Sequence, residues 1–313
     1  MEAGQVWTPN SAYKTAQAIM DIDREGLPLV ILANMRGFSG GQQDMYDEIL
    51  KQGSKIVDGL SSFKQPVFVY IVPNGELRGG AWVVLDPTIN DAQMEMYADV
   101  DARGGILEPE GIVEIKFRKD KITSVMNRLD PQYAALKAAS NDASKSAEER
   151  TKSGEELKKR EAHLHPTYMQ IAHLYADLHD RVGRMQAKGC AQEMRWIEAR
   201  RRLYWRLRRR LNEEHLHKMI QKANPSLSLT ERRDLILNLV KSEDGEDRSV
   251  AEWVEGATAE IGEEVQRIRT RFVSGEIVKF AEGDRRGALE GLTAVLQTLS
   301  EEDRKTLIAS LAA

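Results

Sequence analysis

Two turns hold the residues best suited to chemistry, and each joins an arginine to a Gly-Gly pair. The first reads Asn34-Met-Arg-Gly-Phe-Ser-Gly-Gly41 and the second Pro73-Asn-Gly-Glu-Leu-Arg-Gly-Gly80. Glycine pairs let a backbone approach a ligand closely, and at a helix start they leave N–H groups without intrahelical acceptors. Such donors can cradle a phosphate. They can also stabilise an oxyanion or enolate, typically worth ~3–4 kcal/mol per donor. No GxGxxG or Gly-Lys-Ser/Thr pattern accompanies them, which favours the oxyanion role over the phosphate one. Plain tight turns would use the same glycines, and composition weighs that reading about evenly with the chemical one.

Other reactive groups are sparse. The six histidines all lie beyond residue 162. His173, Asp177 and His179 lack the HExxH order, and positions 177 and 179 do not share a helix face, so no metal site is expected. Cys190 is the sole cysteine, which excludes an internal disulfide and a cysteine-built metal centre. Arg78 is expected to anchor its own turn.

The elements that position the two turns repeat as well. Each turn follows an apolar run introduced by proline, Leu29-Val-Ile-Leu-Ala33 after Pro28 and Val67-Phe-Val-Tyr-Ile-Val72 after Pro66. After the first, Met45, Ile49, Ile56, Val57 and Leu60 recur at helical spacing. After the second, Ala81-Trp-Val-Val-Leu85 suits a strand by composition and a helix by its place in the repeat. A weaker third unit runs Met94–Ala98, Arg103-Gly-Gly105, then Glu108-Pro-Glu-Gly111 opening a helix over 112–118. A strand–turn–helix unit of about 40 residues implies an α/β architecture built by stacking turns.

Composition sets the frame. The 313 residues carry 45 Lys+Arg against 49 Asp+Glu, a net charge of −4, which disfavours nucleic acid as partner. No apolar run approaches the ~20 residues of a membrane span, and no signal-peptide pattern opens the chain, so a soluble cytoplasmic protein is expected. Four segments are predicted: a core over 1–130, an exposed charge-laced helical excursion over 131–165, helical completion over 166–241, and a helical cap over 242–313. The run Arg200-Arg-Arg-Leu-Tyr-Trp-Arg-Leu-Arg-Arg-Arg210 suits RNA or an anionic surface in one reading. The favoured reading is an amphipathic helix. It turns Trp196, Leu203, Leu207 and Leu211 inward and pairs its arginines with Glu193, Glu198, Glu213 and Glu214.

The two turns, with Asp86-Pro-Thr-Ile-Asn90, Met94-Glu-Met-Tyr-Ala-Asp99, Leu107-Glu-Pro-Glu-Gly111, Ala176-Asp-Leu-His-Asp180 and Tyr204-Trp-Arg-Leu-Arg-Arg209, resemble the C-terminal half of the carboxyltransferase region of eukaryotic acetyl-CoA carboxylases. The likeness extends over nearly the whole chain, departing at Met35, where the family usually has Trp. It implies a crotonase-like superhelix of ββα turns with an exposed helical insertion and a helical C-terminal extension. It implies carboxyl transfer from carboxybiotin to acetyl-CoA, giving malonyl-CoA, with the biotin borne on a separate carrier domain and the coenzyme A thioester as substrate. The ureido nitrogen of biotin would take the substrate proton, so no side-chain base is required.

Carried over by residue, Arg36 meets the transferred carboxylate, and the N–H groups of Gly40 and Gly80 stabilise developing negative charge. Phe38, Gly41, Trp82 and Glu108 border the biotin side. The implied partners are a complementary N-terminal carboxyltransferase half, the biotin carboxyl carrier domain and a second copy in a homodimer. The isolated chain is therefore expected to be incomplete and to expose apolar surface. The alternatives are another crotonase-like acyl-CoA enzyme, a hydratase or decarboxylase, and a non-catalytic interaction module with a basic anion-binding helix.

Overall fold

The computed structural model describes residues 4–241 and 244–305. Of the polar segment at 242–247, residues 242 and 243 lie outside the described residues, as do 306–313 of the predicted cap. The chain forms two units, Met1–Arg201 and Arg202–Ala313.

The first unit opens with β1 (Val6–Trp7) and α1 (Pro9–Arg24), then gives β2 (Leu29–Ala33), β3 (Gly37–Phe38), α2 (Gln42–Tyr46) and α3 (Ile49–Ser61). The second repeat is β4 (Val67–Ile71), β5 (Glu76–Arg78) and α4 (Gly79–Leu85). The third is β6 (Met94–Ala98), β7 (Arg103–Gly105) and α5 (Pro109–Lys116). Val67–Ile71 is the most uniformly apolar run, and β4 accordingly lies between neighbours with all five residues buried.

Register carries the turns to one end. Leu29, Val67 and Met94 are level across the parallel β2–β4–β6 sheet, and so are Ala33, Ile71 and Ala98. The three turns that follow therefore leave the sheet at the same height. A second layer of short parallel pairings stacks beside it: β1 with β3, Met35 with Leu77, and β5 with β7. The repeats thus stack as a superhelix of ββα turns. The ambiguous stretch after Gly80 is helical. In a fold where each turn must cross back to the next strand, its place in the repeat outweighs β-branched propensity.

Beneath the sheet, α3 buries Ile49, Ile56 and Leu60, while Gly53 and Gly59 allow close approach of neighbouring side chains. Met45 does not join this inward face. It sits on the separate helix α2 and is largely exposed, because Glu48 takes a left-handed conformation (φ 64°) that breaks the helix between them.

After α6 (Lys119–Leu129), the predicted excursion over 131–165 falls on α7 (Pro131–Asn141) and the first part of α8 (Ala147–His179), which runs on past it. Asp130 caps α7 through the Tyr133 N–H at 2.6 Å, and Ser146 forms a capping box with Glu149 at the start of α8. α8 runs unbroken through Pro166. A satellite core of Val113, Ile122, Met126, Tyr133, Ala172 and Ala176 holds these helices. α9 (Val182–Ala187) and β8 (Gln192–Glu193) follow, β8 pairing with β6. Next comes α10 (Trp196–Ala223), whose start is capped by Asp99 accepting from the Trp196 N–H at 2.8 Å.

The second unit holds most of α10 with α11 (Leu229–Leu239), α12 (Asp247–Gly256), α13 (Thr258–Gly283) and α14 (Arg285–Thr298). Its core gathers Leu216, Ile220, Ile236, Val254, Ile261 and Ile268.

Candidate active site

Backbone pairing fixes Arg36 before its side chain does anything. The Met35 N–H donates to Glu76 O at 2.7 Å, Arg78 N–H to Met35 O at 2.9 Å, and Arg36 N–H to Gln5 O at 2.6 Å. The first two repeats are thus stitched together at this point. Met35, at the family's usual Trp position, packs half-buried on the core and bridges to Leu77.

Two glycines make the close approach possible. Gly79 has φ +54°, and a Cβ there would stand 3.0 Å from Arg36 O. Gly37 has φ +134°, and its Cβ would lie 3.3 Å from the backbone nitrogen of Gly80. Neither position accepts a side chain without strain.

The side chains form a ladder of alternating charge. Arg36 is 46% exposed; its Nε donates to Glu76 Oε1 at 2.5 Å, and its Nη2 approaches the same oxygen. Its Nη1 lies 3.6 Å from Glu108. Glu76 Oε2 accepts from Arg78 Nε at 2.5 Å. Arg78 Nη1 continues to Asp180 Oδ2 at 2.7 Å and to Leu107 O at 3.1 Å. Both Arg78 and Asp180 are buried. Burial alone would raise the Glu76 carboxyl, but hydrogen bonds from Arg78 and Arg36 hold it below its usual range. Burial also opposes the charge on Arg78, and Glu76 and Asp180 outweigh it.

The ladder brings together some of the predicted residues. Phe38 wedges between α3 and α4, its ring 2.7 Å from where a Cβ of either Gly53 or Gly80 would stand, and 5.1 Å from the Trp7 ring centroid. Gly80 lies in the first turn of α4. Gly79 already donates to Ile106 O, so Gly80 presents the next N–H of that turn. Glu108 opens α5 and meets Arg36. Gly40 and Gly41 are exposed at the other end of the first turn, with Gly41 at the N-cap of α2. Trp82 packs against Gly104 of β7 and Met185 of α9. Glu76 and Asp180 were not singled out from sequence. Glu76 was legible in principle, since it sits two residues before Arg78 on one strand face.

The remaining charged groups are engaged elsewhere. Asp177 accepts from Arg103 at 2.6 Å and from Arg181 at 2.9 Å, and these bonds hold its carboxyl below the usual range. Among the described residues, no group of His, Cys, Asp or Glu is arranged to hold a metal ion, and no helix is long and apolar enough to cross a membrane. In the basic helix, Arg206 pairs with Asp247, Arg208 with Glu255, and Arg209 with both Glu213 and Asp247. Two of the three acids come from α12, not from α10 itself. Of the predicted inward stripe, Leu203 and Leu207 are half-buried while Trp196 and Leu211 are exposed, and the fully buried residues of the helix are Leu216, Ile220 and Ala223 further on. Trp196 stacks on Tyr70 at 5.8 Å.

A superhelix of ββα turns presenting an arginine fork beside a glycine-lined helix start agrees with a carboxyl transferase domain, whose family model matches residues 1–211. The chain belongs to that family. It is 49% identical over 320 residues to acetyl-CoA carboxylase of Schizosaccharomyces pombe, covering 100% of this chain and 14% of that protein. It is 48% identical over 316 residues to acetyl-CoA carboxylase of Saccharomyces cerevisiae, with 99% and 14% covered. The chain therefore spans about one seventh of the length of these curated relatives. Among solved structures, transcarboxylase 12S with methylmalonyl-coenzyme A and methylmalonic acid bound aligns at TM-score 0.43 and 17% identity, over 63% of this chain and 30% of that one.

Proposed function

We propose that this chain supplies the biotin-side half of a carboxyltransferase site that moves a carboxyl group from carboxybiotin to acetyl-CoA, forming malonyl-CoA. The observation that carries the reading is Arg36, a half-exposed guanidinium on a doubly pinned backbone that already engages carboxylates. Arginine's planar fork suits a carboxylate and keeps its charge.

Biotin, borne on its carrier domain, would supply the transferable carboxyl group. The two turns press together at Gly37, Gly79 and Gly80, so added Cβ atoms would collide and the Arg36 backbone lies against the start of α4. Arg36 would hold the carboxylate, with Glu76 fixing its guanidinium and Glu108 as the neighbour that a substrate carboxylate displaces. The N–H groups of Gly40 and Gly80 would face developing negative charge, on the biotin ureido oxygen for Gly40. Phe38, Gly41 and Trp82 would border the same space, Phe38 and Trp82 each with one face committed to packing.

The coenzyme A side would come from a complementary N-terminal half, with the assembled enzyme a homodimer of longer chains. Exposed Val83, Ile106, Leu107, Leu174 and Leu178 support such a covering surface. The cytoplasm, a reducing compartment, suits the exposed thiol of Cys190.

The test is malonyl-CoA decarboxylation with free biotin. The chain alone should turn over negligibly, because the thioester is not held at the donors. Adding the complementary half should restore activity. Turnover by this chain alone at the rate of the complete enzyme would overturn the reading.

A further inference from the structure

The ladder of charges ends on a carboxylate that no structural bond holds. Arg36 meets Glu76 along one edge of its guanidinium, because Nε and Nη2 both approach Oε1. The other edge, formed by Nη1 and the second Nη2 hydrogen, is left for a further carboxylate. Glu108 stands before that edge, 3.6 Å from Nη1, a distance that gives attraction without a hydrogen bond. Both side chains are 46% exposed, so the contact opens to water.

The backbone beneath Glu108 is fixed. Ile106 O accepts from the Gly79 N–H at 3.1 Å, and Leu107 O accepts from Arg78 Nη1 at 3.1 Å. Glu108 O accepts from the Ile112 N–H at 3.0 Å in the first turn of α5. The side chain adds nothing to this frame. Glu108 is the N-cap of α5, yet its carboxylate accepts from no N–H of that helix. Its ionic partner among the described residues is Arg36.

Charge along the ladder is also unbalanced. Asp180, Arg78, Glu76, Arg36 and Glu108 follow one another as three carboxylates to two guanidiniums. A carboxylate arriving at Arg36 meets Glu108 as a like charge, and it takes the free edge as Glu108 turns out to solvent.

We propose that Glu108 is a displaceable stand-in for the substrate carboxylate. It holds the free edge of Arg36 between turnovers and, by competing for that edge, weakens retention of malonyl-CoA relative to acetyl-CoA, which has no carboxylate. This rests on Arg36 being the group that holds the transferred carboxylate.

E108Q in the complete enzyme tests it, since glutamine keeps the size and removes the charge. The KM for malonyl-CoA in decarboxylation with free biotin should fall about two- to fivefold, the effect of one partly exposed charge. The inhibition constant of acetyl-CoA in the same assay should stay at the parent value. E108D, which keeps the charge on a shorter arm, should restore much of the parent KM. R36A measured beside them separates the two readings. Loss of activity in R36A with an unchanged or raised malonyl-CoA KM in E108Q would overturn the proposal and leave the role of Arg36 standing. Tighter binding shared equally by acetyl-CoA would also overturn it, because the effect would not pass through the carboxylate. Near-normal turnover in R36A would remove the role of Arg36 and the proposal with it.

Discussion

Arg36 and Arg78 occupy equivalent places one repeat apart and bind opposite oxygens of the same glutamate, yet one is 46% exposed at its side chain and the other 4%. What separates them is cover. Arg78 sits on β5, which is flanked by β7 on one side and the Met35 bridge on the other, and the end of α8 delivers Asp180 onto its guanidinium. Arg36 has Gln5 and Glu76 beneath it and only the exposed Glu108 in front. The repeat therefore makes two copies of one chemical group and assigns them different work through what packs on top. The buried copy is a structural tie, and it fixes the glutamate that fixes the exposed one.

The largest effect should come from breaking the tie. Removing Arg78 leaves the Asp180 carboxylate buried without its partner, a loss of about 3–5 kcal/mol for broken buried pairs. R78A should therefore lower the urea midpoint sharply. R78M/D180L should recover much of the loss, because a well-packed apolar pair can replace a buried ion pair. An R78A chain as stable as the parent would erase the distinction between the two arginines.

Next comes the exposed copy, where stability and activity should separate. R36A removes a half-exposed side chain, so its stability should stay within about 1 kcal/mol of the parent. In the complete enzyme, malonyl-CoA decarboxylation should fall ten- to a hundredfold or more, about 1.4–2.8 kcal/mol at the lower two decades. R36K should recover only part of this, since it restores charge without the fork. A folded R36A enzyme with near-normal turnover would remove Arg36 from the chemistry.

Much of this contrast was visible in the residues. Parallel strands at 29–33 and 67–71 follow from two proline-led apolar runs, the weaker run at 94–98 gives the third, and the positions of the Arg-Gly turns follow from them. The helix over Gly79–Leu85 needed the repeat to decide it, because Val83 and Val84 argue locally for strand. Partners distant in sequence were not legible. Asp180 reaches Arg78 across 102 residues, and Asp247 and Glu255 reach the basic helix across about 40, beyond the predicted near partner Glu213 that Arg209 does engage. The inward stripe of α10 held only in its middle, where Leu203 and Leu207 are half-buried; Trp196 instead stacks one face on Tyr70 at the helix start, which local periodicity cannot reveal.

Acid should distinguish the two units. Glu76 and Asp177 have folded values below their ordinary ones. Their contribution is complete above the unfolded values, about 4.3 and 3.9, and is lost as pH falls through the lower folded values. The contribution of these two carboxylates should thus weaken only below about pH 4, while burial holds Asp180 of the same network above its usual range against the pull of Arg78. His217 in the second unit behaves in the opposite range, because burial, with help from Arg232 and Arg233, holds its imidazole below the usual value. The unfolded chain then takes the proton more readily, and stability declines as pH falls from about 6.5. Exchange rates corrected for intrinsic pH dependence should rise first in peptides from the second unit, and H217Q should delay that rise. Simultaneous loosening of both units near pH 4 would contradict the assignment.

The smallest effect is expected at Arg208, within the basic run 200–210. Its guanidinium pairs with Glu255, and both side chains are about one-third exposed, 37% and 35%. It also lies over Trp205 at 5.3 Å and Tyr204 at 5.6 Å. A partly exposed ion pair contributes about 0.2–1 kcal/mol and a surface cation–π contact about 0.5–1 kcal/mol. R208A should therefore cost little stability and leave malonyl-CoA decarboxylation within about twofold of the parent. The stability loss should shrink in high salt, because the ion pair is screened while the ring contact largely persists. A folded R208A enzyme that lost most of its activity would show that the helix meets an anionic partner during turnover, and the engaged arginines of α10 would then need to open their pairs with α12 to do so.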